Sequence, residues 1–239
     1  MDNNKHLGAA FVLGIFVCIG LALLGYFIAG GMVKLRTLER AITVKGLSER
    51  EIPANIAIWP IKFSEADNDL NKVFSTLQQK NAIIVEFLKK HGFQDKEISI
   101  SAPAILDRQS QQDGSERGKF RYSGDSTITV YSENVDLVRS SMQTLVELGK
   151  KGIAISGEDY QSRTVFIFSK LNDLKPEMIE EATKNARVVA EKFAEDSKSR
   201  LGKIKSASQG QFSIEDRDSS TPHIKQVRVV STVEYYLSD

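Results

Sequence analysis

The chain has 239 residues, 41% hydrophobic and 26% charged, which suits one globular domain of ordinary size or two small ones. Aromatic residues at 8% and a mean hydropathy of −0.24 exclude a mostly disordered chain and a multi-span membrane protein. The 32 Lys and Arg against 31 Asp and Glu leave a formal charge of +1, without the basic excess of a nucleic-acid binder, and one cysteine with three scattered histidines offers neither an intrachain disulfide nor an obvious metal centre.

The first element decides between a soluble and a tethered protein. Leu7 to Val33 runs 27 residues without Asp, Glu, Lys or Arg. As a helix this run would be about 40 Å long, more than a hydrocarbon core of ~30 Å requires. A cleaved signal peptide is the rival reading, with Ala29-Gly30-Gly31 as small residues for cleavage, but its apolar region is normally about 7–15 residues. The length favours a short flank at 1–6, a transmembrane anchor at 7–33 in the lipid bilayer, and a domain at 34–239. Ala10, Gly14, Cys18 and Ala22 recur every fourth residue, and Gly25 and Ala29 continue the spacing. On a helix they make a small-residue stripe of the kind that lets membrane helices approach closely, although small residues are common in such segments anyway. Residues 34–239 lack cysteine, which suits an oxidising compartment. Lys34, Arg36, Arg40 and Lys45 outnumber Lys5 across the run, a count that would hold the domain in the cytoplasm. Long domains can cross despite such charge, so residues alone leave the orientation open.

Beyond the anchor, Leu38–Gly46 reads as a strand, LSERE as a polar turn, and Pro53–Phe63 as a second strand with Pro60 at an edge or bulge. Cap residues over Ser64–Asp69 open a helix from about Asp67 to His91, ended by Gly92, with Leu70, Val73, Leu77, Ile84, Phe87 and Leu88 on its inner stripe. Lys96–Leu106 is a third strand, Asp107–Gly118 a polar loop, and Lys119–Ser132 a fourth strand. Asn134 caps a helix to about Leu148, with Val138, Met142, Leu145 and Leu148 inward. Ile153–Ser156 and Arg163–Ser169 are strands. A third helix has Pro176 in its first turn, the inward stripe Ile179, Ala182, Ala186, Val189, Ala190, Phe193, and Gly202 as its end. Gly202–Ile214 and Ile224–Leu237 close the chain around the polar loop Glu215–Pro222. Strand-strand-helix units predict an α+β fold, three long helices packed on a mixed or antiparallel sheet, preceded by one transmembrane helix. No linker separates two domains.

The order Val44-Lys45-Gly46, a strand with Pro53 and Ala57, FLKKHGFQDKEIS (Phe87–Ser99), TITV (Thr127–Val130), Lys151-Gly152 through Ile155, and the alanine-spaced stretch Leu171–Ser208 containing Leu201-Gly202-Lys203-Ile204 resembles the SIMPL-domain family of bacterial envelope proteins. That family includes periplasmic immunogenic and oxidative-stress-defence proteins. The resemblance covers Leu38 to Leu237. Relatives often carry Gly-Tyr before the fourth strand, where this chain has Arg121-Tyr122 with Gly124 following. The resemblance implies an α+β fold, export to the periplasm on a single-pass inner-membrane anchor, frequent self-assembly into a homo-oligomer, and a part in stress tolerance. It implies no reaction.

Chemistry-bearing motifs point the same way. GxGxxG, GxxxxGK[ST], HExxH and GxSxG are all missing. Glu65, Asp67 and Asp69 lie where acids cap a helix and complement its dipole, Glu180 and Glu181 belong to a solvated helix face, and His91 suits a helix C-terminus. Glu215, Asp216, Asp218 and His223 share a loop that could hold a cation but reads better as a mobile polar hairpin. Arg108, Arg117, Lys119 and Arg121 flank the Gln/Ser loop, which reads as a solvated loop; a basic rim for an anionic partner or lipid headgroups is the lesser alternative. No catalytic residue and no cofactor is expected. Three function classes stay open: a membrane-anchored, self-assembling, non-enzymatic protein; an adaptor for a peptide or envelope protein; and an enzyme, which needs a convergent polar pocket that no motif supplies.

Overall fold

The computed structural model describes residues 3–38, 40–110, 119–157 and 162–238. Its elements are α1 (Asn3–Leu38), β1 (Ala41–Pro53), β2 (Ile56–Asp67), α2 (Leu70–Lys90), a 3-10 turn (Asp95–Glu97), β3 (Ile98–Ile100), β4 (Ala104–Asp107), β5 (Tyr122–Ser132), α3 (Val135–Gln143), α4 (Val146–Lys150), β6 (Val165–Ile167), α5 (Leu171–Asp196), β7 (Arg200–Gln209), β8 (Ser213–Asp216) and β9 (Ile224–Ser238). One sheet runs β1-β9-β7 with β8 also on β9; the other runs β3-β5-β2-β6 with β4 also on β5. The ladders of the second sheet are antiparallel, as is β7 on β9. The α+β class read from the sequence is the one observed. The chain forms two compact units, Met1–Glu49 with Lys175–Phe212 and Arg228–Asp239, and Arg50–Leu174 with Ser213–Val227. β1, α5 and β9 each begin in one unit and end in the other, so the division leaves no linker in the sequence.

In the first unit α5 lies on β1 and β9. Met178, Ala182, Ala186, Ala190 and Ala194 are its buried residues, one every fourth position. Ala186 and Ala190 pack with Val44, Val233 and Tyr235. The stripe is small because the helix sits directly on backbone: a Cβ built on Gly46 would stand 1.9 Å from the Ala182 carbonyl oxygen and 2.3 Å from the Ala186 nitrogen. Val189 and Phe193, expected inside, are 39% and 54% exposed. An i, i+4 row advances only about 40° per step, and a helix following that row turns these larger neighbours onto its flank. LSERE is not a turn. β1 continues through it, with Val44, Gly46 and Ser48 buried in alternation. Ser48 can face inward because its hydroxyl donates to Glu181 Oε2 at 2.9 Å. Glu181 is therefore engaged rather than simply solvated. α5 ends at Asp196 and the chain turns through Lys198 at φ 55°. Gly202 lies in β7 against Tyr236, where a Cβ would meet the Tyr236 carbonyl oxygen at 2.9 Å.

The second unit has the larger core. Trp59, Ile61 and Phe63 of β2 and Ile128 and Val130 of β5 face Val73, Leu77, Ile84, Phe87 and Leu88 of α2. Burying each such side chain stabilises the fold by about 1.5–3 kcal/mol. Asp69 caps α2 by accepting from the Asn71 N–H. Gly124 is enclosed by Ile105, Leu77 and Val73, each under 3 Å from where its Cβ would be, so a side chain here must push those core methyl groups aside. On one side of β2 the β6 ladder stops at Ile58 and the next bond is Ser156 N–H to the Lys62 carbonyl, which leaves Pro60 in a gap. The expected third strand is split by Ser101-Ala102-Pro103 into β3 and β4, both on β5. The expected helix over 134–148 breaks at Thr144 into α3 and α4. Ile155 makes only an isolated bridge to Phe63.

Candidate membrane anchor and exposed surfaces

α1 is apolar around its whole circumference. Leu13–Gly31 is long and apolar enough to cross a membrane and is unburied by the rest of the chain. An all-round apolar helix needs an apolar surrounding. Gly14, Cys18 and Ala22 are exposed on it. A Cβ on Gly14, Gly20, Gly25, Gly30 or Gly31 would meet nothing within 4 Å. The side chain of Ala10 lies outside the described residues.

The polar groups singled out in the sequence serve local structure. Asp67 accepts from the Asn68 and Asp69 N–H groups and pairs with Lys72 at 2.6 Å. These contacts, led by Lys72, hold its carboxyl below the usual carboxylate range. Glu65 pairs with Lys80. His91 Nδ1 lies 2.8 Å from the Phe87 carbonyl, its Nε2 lies 3.1 Å from Thr144 Oγ1, and its ring packs at a tilt against Phe87. His91 thus joins the end of α2 to the α3–α4 break. Among the described residues no group of three or more His, Cys, Asp or Glu is placed to hold a metal.

The loop after β8 is ordered by its own bonds. Asp218 accepts from Ser220 N–H, Thr221 N–H and the Thr221 hydroxyl and pairs with Arg217, which also reaches Glu51. Those donors, the Thr221 hydroxyl first, hold the Asp218 carboxyl far below its ordinary range. Asp216 pairs with Lys225. His223 packs edge-on against Phe166 and its carbonyl accepts from the Ala54 N–H. Burial, with Arg139 and Arg217 adding repulsion, pushes the His223 imidazole below its usual value. On the other rim Arg121 pairs with Asp107 at 2.9 Å and lies over Tyr122, while Lys119 lies over Phe120. Arg117 falls outside the described residues.

An apolar patch escaped the sequence reading. Ile58 stands opposite Tyr131 on one side and Val165 on the other. Tyr131 and Val165 are exposed, so the row lies on the sheet face that α2 does not cover. Ile56 and Ile167 form the next pair. The signal was present in IAIWPI, which is apolar at odd and even positions alike.

No curated protein matches the chain in sequence. The family model described as SIMPL, protein of unknown function (DUF541), matches residues 42–235, nearly all of the chain beyond α1 and its short connection to β1. With the match covering most of the chain, the chain belongs to the SIMPL family.

Proposed function

We propose that the chain is a membrane-anchored, non-enzymatic envelope protein that self-assembles and supports envelope integrity or stress tolerance, its domain facing the periplasm from the inner membrane. The observation that carries this reading is the helix Leu13–Gly31, apolar on every side and joined to a SIMPL domain. The small-residue stripe Ala10, Gly14, Cys18 and Ala22 supports assembly through the anchor, because backbones can approach closely there. Two measurements test the reading. Mass spectrometry of protein purified from membranes is expected to find α1 intact; a mature N-terminus between Gly30 and Val33 would replace the anchor with a removed leader. A C-terminal alkaline-phosphatase fusion is expected to be active, and an inactive one would put the domain in the cytoplasm. The Val165–Ile58–Tyr131 row favours a second reading, capture of a peptide or an envelope protein on that sheet face. That reading would lead if light scattering found the full chain monomeric in several detergents.

A further inference from the structure

The end of the first unit nearest the anchor combines exposed cations with exposed aromatic side chains. The Leu237 N–H donates to the Arg40 carbonyl at 2.8 Å, and Arg200 and Leu201 stand opposite Ser238 and Leu237. The residue just before β1, the end of β9 and the start of β7 therefore form one row across the sheet. α5 reaches the same end, since only Ser197, Lys198 and Ser199 separate Asp196 from Arg200. Lys198, Arg200 and Lys203 are exposed there; Asp196 and Glu195, the latter paired with Lys192 at 3.2 Å, are acids of the same last turn of α5, and in the sequence Glu39 adjoins Arg40 and Asp239 adjoins Ser238. Phe193 is 54% exposed on the last turns of α5, and Tyr236 is 38% exposed on β9.

The tether fixes how far this row can stand from lipid. The run free of Asp, Glu, Lys and Arg ends at Val33 and α1 continues to Leu38. The five helical residues after it rise about 8 Å, and the next two add at most ~7 Å. The headgroup layer takes up about 5–8 Å of that height. Even with those two residues extended, Arg40 stays within roughly 10 Å of the headgroups, comparable to the Debye length of about 8–10 Å at physiological salt; β7 lies two strand spacings, ~10 Å, from β1 and comes equally close when the row lies parallel to the bilayer. Lys34 and Arg36 lie along the connecting stretch itself.

We propose that this end of the unit is a lipid-surface contact, in which Lys198, Arg200 and Lys203 bind anionic phospholipid headgroups and Phe193 and Tyr236 enter the headgroup layer. Basic side chains meet the phosphates, while aromatic rings suit an interface that is apolar on one side and wet on the other. The contact rests on the membrane-anchored reading. It adds that the domain lies against the bilayer instead of swinging from it.

The test uses the full chain with Cys18→Ser, carrying a fluorophore at Ser197→Cys near the row or at Ser208→Cys, about 25 Å away along β7. Vesicles contain phosphatidylcholine alone or with phosphatidylglycerol, plus a lipid whose headgroup bears a quenching nitroxide. The expected result is quenching at position 197 and little at 208 in anionic vesicles. Quenching at 197 is expected to be lost in neutral vesicles, at high salt, and when Lys198, Arg200 and Lys203 are all changed to Glu. The corresponding all-Gln variant, checked for native circular dichroism, is expected to lose it as well, which separates lost charge from lost fold. Equal signals at 197 and 208, or a signal at 197 indifferent to lipid charge and to both variants, would overturn the contact. A chain that fails to float with the vesicles overturns the anchor first, and the contact with it.

Discussion

Gly46 shows what a single side chain would do to this fold. Nothing but hydrogen fits between β1 and the backbone of α5, and the obstructing atoms are backbone, which cannot rotate away. Gly46→Ala is expected to lower unfolding stability by about 3 kcal/mol or more, read as a fall in urea midpoint. Gly149→Ala is the matched control. Its Cβ would meet nothing within 4 Å in α4, so the change is expected to be neutral or mildly stabilising, by about 0.5–1 kcal/mol. His223 sets a pH dependence of its own. Because its folded value lies below the ordinary 6.5, the unfolded chain binds the proton more readily. Its contribution is therefore fully present above about pH 6.5 and is lost as pH falls through the lower folded value. Asp67, Asp107, Asp218 and Glu234 are also depressed, by Lys72, Arg121, Thr221 and Lys205 respectively, so their contributions disappear at more acidic pH. Comparing wild type with His223→Gln from pH 7.5 to 5 should isolate the histidine, since the variant is expected to lose the slope in that window. Identical slopes would show that burial of the ring in the second unit is not coupled to protonation.

At the scale of elements, α5 carries the clearest test of packing. Ala190→Leu must force a larger side chain between the helix and Val44, Val233 and Tyr235, and is expected to cost about 1–3 kcal/mol in chemical unfolding. Val189→Ser, one position away, is expected to change stability by about 0.5 kcal/mol or less because the valine is exposed on the flank. The sequence made the existence and order of the long elements legible, because α2 and α5 each repeat buried positions over several turns. It was less informative where small or polar residues go inside. A buried Ser48 bonded to Glu181 looks like part of a turn until the helix that bonds it is known. The exposed sheet row was equally hard to see, since an apolar residue at every position of IAIWPI suits a strand covered on both faces as well as one covered on a single face.

For the whole molecule, the legible features were the N-terminal helix apolar enough to cross a membrane and the family; the two-unit division was not. Its boundaries fall inside β1, α5 and β9 or beside β8, where composition does not change. Assembly belongs to this scale. Gly14→Leu is expected to weaken association of the full chain in detergent by on the order of 1 kcal/mol per helix contact, because lipid and detergent tails compete well with an apolar helix. Analytical ultracentrifugation should show the variant dissociating at protein concentrations where the wild type is still associated, while circular dichroism is unchanged. An unaltered oligomer would move the assembly surface from the anchor to the folded domain.

The bond between Leu237 and Arg40 also has a mechanical meaning. It places the last strand beside the first at the end where α1 leaves the domain, so a pull between α1 and anything attached beyond Ser238 acts across the β1–β9 ladder rather than along it. Antiparallel hydrogen bonds loaded in that direction open one after another like a zip, whereas sheared strands must break many together. A protein joined in this way yields early when tension is applied between α1 and its last strand, and makes a poor rope between that helix and a distant load.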